Sequence, residues 1–195
     1  MKLARMRSGA ILQLACVALI ALGTITAVSA ARLPFEARYK QSVLERAYED
    51  GVASGTPERP FARSEIAVAG KLVYPRLRQS LVVTTTGTEE ALEAGPSLVT
   101  GTAPIGLPGT SLITAHNDTH FAFLQRARVG DTIEAAGPDG RMRSYRVTRT
   151  EVIDADDLAI TMGTTDNRLA LYTCYPFRVM RATDRRFVVH AELAD

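Results

Sequence analysis

From Ser64 onward the chain is a succession of short β-rich runs: EIAVAGKLVYPRL, QSLVVTTT, TSLITAH, DTIEAA, MRSYRVTRTEVI, LALYTCY and RRFVVHAEL. Gly, Pro, Asp and Asn separate them. Many short strands with turn signals between them fold as a mainly β barrel or sandwich. Two helical patches interrupt the series. Thr88 to Gly95 (TEEALEAG) opens on an N-cap residue, carries acids in its first turn and ends at a glycine. Asp118 to Arg126 (DTHFAFLQR) is the second, with Asp118 or Thr119 as cap.

The part before Ser64 has a different character. Lys2, Arg5 and Arg7 precede an apolar stretch from about Ala10 to Ala31 that holds no charge and one strongly polar side chain, Gln13. About 20 apolar residues suffice to span a bilayer as a helix. A cleaved signal peptide is the alternative, since Val28-Ser29-Ala30 resembles a small-residue cleavage site, but a signal core is usually roughly 7–15 residues. The stretch is therefore read as an uncleaved signal-anchor, single-pass in the cytoplasmic (inner) membrane. The basic flank stays inside, and everything after Ala31 is extracytoplasmic or periplasmic. Tyr39 to Asp50 has the pattern of a short amphipathic helix, and GVASGTPERPF after it reads as a linker. The expected division is an anchor at 1–31, a helix and linker at 32–63 and a β-domain at 64–195. Net charge is +2 with no long basic tract, which gives no support for nucleic-acid binding.

This topology makes the cysteine count informative. There are two, Cys16 and Cys174. Cys16 lies in the apolar stretch, so the exported domain carries one free thiol in a compartment that permits disulfides. Such a cysteine is either buried and inert or a nucleophile. A nucleophilic thiol needs a partner for its proton, and the histidines are His116, His120 and His190. His116 ends an apolar strand, at the rim of a sheet. His120 lies four residues on, a spacing that can hold zinc, but no Glu follows His116 in the zincin pattern and no third ligand is evident, so no metal is expected. His190 reads as a packed or surface strand residue. Acyl transfer also needs positive charge facing the developing oxyanion. Arg185 and Arg186 open the last strand, and alternation sends them to opposite faces, so only one shares a face with the site. Asp154-Ala155-Asp156-Asp157 does not fit a calcium loop and reads as a turn into a short helix.

ALYTC at residues 170–174 and SLITAHNDTHFAFL at 111–124 resemble the cysteine signature and histidine block of the sortases, the cysteine transpeptidases of cell envelopes. The resemblance covers about Ser64 to Ala194 and is greatest to the Gram-negative, marine proteobacterial type. It implies an eight-stranded β-barrel with a few short helices, preceded here by the membrane helix. It implies Cys174 as nucleophile, His116 as proton shuttle, Arg186 rather than Arg185 as oxyanion or substrate-positioning residue, and Thr173 as a shaper of the substrate groove. The substrate would be a protein with a C-terminal LPxTG-like sorting signal. The acceptor would be an amine of peptidoglycan or protein. No cofactor is implied, and a monomer is the expectation. The chain departs from the pattern at Ala170, Ala115 and Asn117, where the family commonly has Thr, Gly and Arg. It also lacks a Gly-Pro-rich loop between Phe177 and Arg185. Other exported cysteine enzymes, such as L,D-transpeptidases, and a non-catalytic anchored β-domain are the alternatives.

Overall fold

The structure is a computed structural model that describes residues 2–56, 58–61, 64–157, 165–177 and 183–194. Helix α1 runs Lys2–Ser54. The chain divides into two units, Met1–Arg38 and Tyr39–Asp195. In the first, the side chains of much of the stretch read as a membrane anchor lie outside the described residues. Among the described residues no helix is long and apolar enough to cross a membrane.

The second unit is built on eight strands: β1 (Val68–Tyr74), β2 (Gln79–Thr84), β3 (Ser97–Leu98), β4 (Gly109–Thr114), β5 (Thr132–Ala136), β6 (Met142–Asp154), β7 (Asn167–Cys174) and β8 (Arg185–Leu193). They close into a barrel in the order β1-β2-β3-β4-β7-β8-β6-β5. Seven of the eight coincide with the β-rich runs of the sequence. The eighth, β3, has only two residues and pairs by Thr84↔Ser97 and Ser97↔Thr114. Closure leaves few free strand edges, the main gap lying along β2 beside the two-residue β3.

Strand alternation sorts the side chains. Leu72, Val83, Ile113, Tyr145, Leu171 and Val189 are among those that point inward and fill the barrel. Their outward neighbours on β4, β7 and β8 (Leu112, Ala170 and Val188) form a second apolar cluster with Tyr172 and Ile153 packed against it. A third cluster joins Leu44, Ala47 and Tyr48 of α1 to Val68, Val82 and Ala136 on the outside of the barrel. The helix expected from Tyr39 is therefore part of the same compact unit as the strands.

Helix α2 (Glu89–Ala94) forms as its sequence predicts. Thr88 Oγ1 accepts the Ala91 N–H, acids occupy the first turn, and the helix stops at Gly95. The second expected helix is shorter. Residues 117–121 are a turn and only Ala122–Arg126 is helical, of the tight 3₁₀ kind. Here His120, Phe121, Phe123 and Leu124 are all buried, and the turn serves to drive them into the barrel mouth. Ala155–Asp157 is likewise a single 3₁₀ turn, and the short helix expected after it falls at 158–164, outside the described residues.

Candidate active site

β7 lies between β4 and β8, parallel to the first and antiparallel to the second. Its inward residues are Leu169, Leu171 and Thr173, and its outward residues are Ala170, Tyr172 and Cys174. Cys174 thus stands at the end of the strand on the outer wall, half-buried. On β8 its direct partner is Arg186. On β4 the last ladder pair is Thr114↔Tyr172, and His116 lies two residues beyond Thr114 as Cys174 lies two beyond Tyr172. Neighbours in register share a face, so three adjacent chains bring His116, Cys174 and Arg186 to one end of one wall.

The register past the ladder is held by side chains as well as backbone. Ala115 N–H donates to Tyr172 O at 3.4 Å, and the Phe121 N–H closes on His116 O at 3.0 Å. Thr173 Oγ1 donates to Ala115 O at 2.6 Å. Thr173 is 1% exposed and faces the barrel interior, on the opposite side of the strand from Cys174. Thr173 therefore does not line the wall that carries Cys174, as a groove-shaping side chain would, and its hydroxyl holds the Ala115 carbonyl instead. Asn117 Nδ2 donates to Pro176 O at 2.9 Å.

Arg186 and Arg185 are separated as alternation requires. The Arg186 guanidinium lies over the Tyr172 ring at 5.8 Å, on the face of Cys174, and its Nη1 donates to the carbonyls of Thr183 and Arg185. Among the described residues no carboxylate neutralises it, so its positive charge is available to an anion beside Cys174. Arg185 is exposed over the Tyr175 ring at 5.7 Å.

His116 keeps 37% of its side chain exposed, and its Nε2 is 3.7 Å from Glu89 Oε1 at the start of α2. In the sequence Glu89 reads only as a first-turn acid of the helix, because nothing local ties residue 89 to residue 116. His120 is buried, with Nε2 3.5 Å from Glu93 O. Burial pushes its pKa down, against the Glu93 carbonyl, so the ring is neutral at ordinary pH. His190 lies along the outer row of β8 and bonds Glu151 at 2.7 Å with Arg149 alongside. Among the described residues no group of three or more His, Cys, Asp or Glu side chains is arranged to hold a metal ion.

A family model for the sortase domain matches residues 72–194. The chain belongs to the sortase family. Sortase D of Bacillus subtilis (strain 168) is 25% identical over 125 residues, which is 64% of this chain and 63% of that protein, so the chain spans under two thirds of that curated relative. Sortase A of Listeria monocytogenes superposes with a TM-score of 0.59 at 25% identity, over 66% of this chain and 88% of that one. A lid mutant of sortase A from Corynebacterium diphtheriae gives 0.61 at 21% identity, over 81% and 95%. The second likeness concerns the fold alone. The closed eight-stranded barrel described above is thus a sortase fold.

Proposed function

We propose that this sortase is a membrane-anchored cysteine transpeptidase, with Cys174 as nucleophile, His116 as acid and base, and Arg186 as oxyanion support. One observation carries the reading: Cys174 is the register partner of Arg186 on β8, and on the other side it lies two residues past the last pair with β4, Thr114↔Tyr172, as His116 does on the continuing chain. The Cys174 thiolate attacks a backbone carbonyl of a sorting signal, and the oxyanion forms beside the Arg186 guanidinium. Collapse expels the downstream amine, which leaves with a proton from His116, and a thioester remains on Cys174. The acceptor amine then attacks the thioester and gives its proton to His116, and the Cys174 thiolate leaves, which restores the starting pair. Water competes as acceptor and yields slow hydrolysis.

The substrate is a protein with a C-terminal LPxTG-like signal, and the acceptor is an amine of peptidoglycan or of another protein. The apolar residues 10–31, flanked by Lys2, Arg5 and Arg7, support an inner-membrane anchor with the barrel on the extracytoplasmic side. LALYTCYPF and HNDTHFAFL support the Gram-negative branch of the family. The test is intact mass of the full chain in detergent, incubated with Leu-Pro-X-Thr-Gly peptides and then hydroxylamine. An acyl adduct that hydroxylamine releases, and that Cys174→Ala abolishes, is the expected result. Peptide cleavage that survives Cys174→Ala overturns the proposal.

A further inference from the structure

His116 lies beyond the last ladder pair of β4, on chain that has already left the sheet. Cys174 is the last residue of β7, and Tyr175 and Pro176 lead away from it. β8 fixes Cys174 through its pairing with Arg186 and through the Tyr175 N–H bond to Arg185 O at 3.0 Å, but the β4 ladder ends at Thr114, and past it one backbone bond, Ala115 N–H to Tyr172 O at 3.4 Å, ties the His116 segment to β7. Two side-chain bonds supply what the ladder does not. Thr173 Oγ1 donates to Ala115 O at 2.6 Å, immediately before both reactive residues. Asn117 Nδ2 donates to Pro176 O at 2.9 Å, immediately after them. His116 is flanked by Ala115 and Asn117, and Cys174 by Thr173 and the Tyr175-Pro176 exit, so the pair sits between two ties. Asn117 is 8% exposed, and water competes little for its amide.

We propose that Asn117 is a positioning residue, a clamp whose side-chain amide holds the segment after His116 to the segment after Cys174 and so sets the spacing of the reacting pair. The clamp rests on the reading of Cys174 and His116 as that pair. Without the Asn117 bond, the ties between the two segments, the Thr173 bond and the Ala115 N–H bond to Tyr172 O, all lie before the reactive residues and leave the chain after His116 free to swing about them. A tie beyond the reactive residues removes that freedom. The titratable and charged groups facing His116 are Glu89 and Glu93 from α2 and His120 on its own turn, with Cys174 of β7 and Arg186 of β8 on the neighbouring strands. Of these, only the spacing to Cys174 is set directly by the clamp, because the clamp closes on the exit of the same strand.

The experiment is the pH profile of Cys174 alkylation by iodoacetamide in the full chain in detergent, with Cys16→Ser to leave one thiol. Asn117→Ala is expected to slow alkylation at neutral pH by roughly tenfold, since small misplacements of reacting groups cost one to two orders of magnitude. The shape of its pH profile departs from that of the unsubstituted chain, because the spacing of His116 and Cys174 has changed. Tyr145→Phe is the control. It removes a hydrogen bond of similar length, 2.8 Å to Asn167 at the opposite end of β7, and lowers stability without moving the profile. Asn117→Asp serves if the alanine variant fails to fold. It keeps the shape but can donate to Pro176 O only when its carboxyl is protonated, so its profile must also depart from that of the unsubstituted chain. Profiles unchanged in the folded Asn117 variants, where His116→Ala does change them, overturn the clamp and leave the catalytic reading standing. An unsubstituted profile that His116→Ala does not change overturns the catalytic reading, and the clamp with it.

Discussion

Arg186 is suited to its place by what surrounds it. Its guanidinium lies on the Tyr172 face and is pinned by two carbonyls, so the charge is held beside Cys174 without a carboxylate to cancel it. Arg186→Ala is expected to lower the rate of thioester formation about 10²–10³-fold, the usual effect of losing an oxyanion donor. Arg186→Lys keeps the charge but loses the planar stacking and falls between the two. Arg185→Ala, on the other face, is expected to leave the rate within about twofold, because rim charges away from the chemistry contribute little. Equal losses from Arg185 and Arg186 in stopped-flow acylation would contradict the assignment. His120 makes a second residue-level prediction. Burial lowers its pKa in the folded chain, so the unfolded chain binds its proton first as pH falls. Stability contributed by the neutral ring is present above the unfolded value near 6.5 and is lost as pH drops below it. The thermal midpoint should decline between about pH 7 and 5, and His120→Phe should flatten that decline.

Elements are joined at points where the β-ladder stops. β3 has two residues, so most of that edge of β2 has no strand beside it. Gln41 of α1 takes part of the missing strand's role. Its Oε1 accepts the Val82 N–H at 2.9 Å, and its Nε2 donates to Val82 O at 3.2 Å and Ala94 O at 3.0 Å. Gly95 makes the approach possible, since a Cβ there would collide with the Gln41 amide and crowd Val82 O. Gln41→Ala leaves buried backbone groups unpaired and is expected to cost about 1–3 kcal/mol, read as a shift in urea midpoint. A second clasp joins the end of β1 to the start of β5. The Asp131 carboxylate accepts from Tyr74 Oη at 2.6 Å, from Arg76 Nε at 2.5 Å and from the Arg128 N–H at 2.8 Å. Burial alone would raise its pKa, but these three donors outweigh burial and bring it to about 2. The same carboxylate and the same burial push the Tyr74 phenol up. A carboxyl depressed on folding stabilises above its unfolded pKa near 4 and ceases to do so as pH falls toward 2, a contribution of about 2 kcal/mol. Asp131→Asn should remove that acid-side loss from a pH series of urea titrations. An unaltered acid limb would show that the clasp contributes nothing.

At the scale of the whole molecule, the barrel and the helix before it follow different rules. The strands bury an inner face and, on the β4–β7–β8 wall, an outer one as well. Residues 10–31 form a near-continuous apolar run with charges only before and after it. Protease treatment of spheroplasts should therefore degrade the barrel while the N-terminal residues stay with the inner membrane, and deletion of residues 2–31 should release the chain from membranes. A protected barrel in intact spheroplasts would reverse the proposed topology.

Much of this protein is legible in the order of its residues. β-rich runs separated by turn residues mark seven strands, and Thr88 with Gly95 bounds α2, because β-propensity, turn signals and helix caps are local properties. Cys174 and His116 stood out because a single exported thiol requires a proton partner. What local pattern cannot contain is register between distant strands. Whether Arg185 or Arg186 faces Cys174 depends on the pairing of β7 with β8, and a one-residue slip would exchange them. Asn117, 59 residues from its acceptor, and Glu89, beside His116 across a loop, likewise acquire their roles only when the barrel closes. The sequence by itself determined which side chains can do the chemistry. The closed barrel decided which of them meet, because hydrogen-bond register, not chain distance, sets what lies beside what.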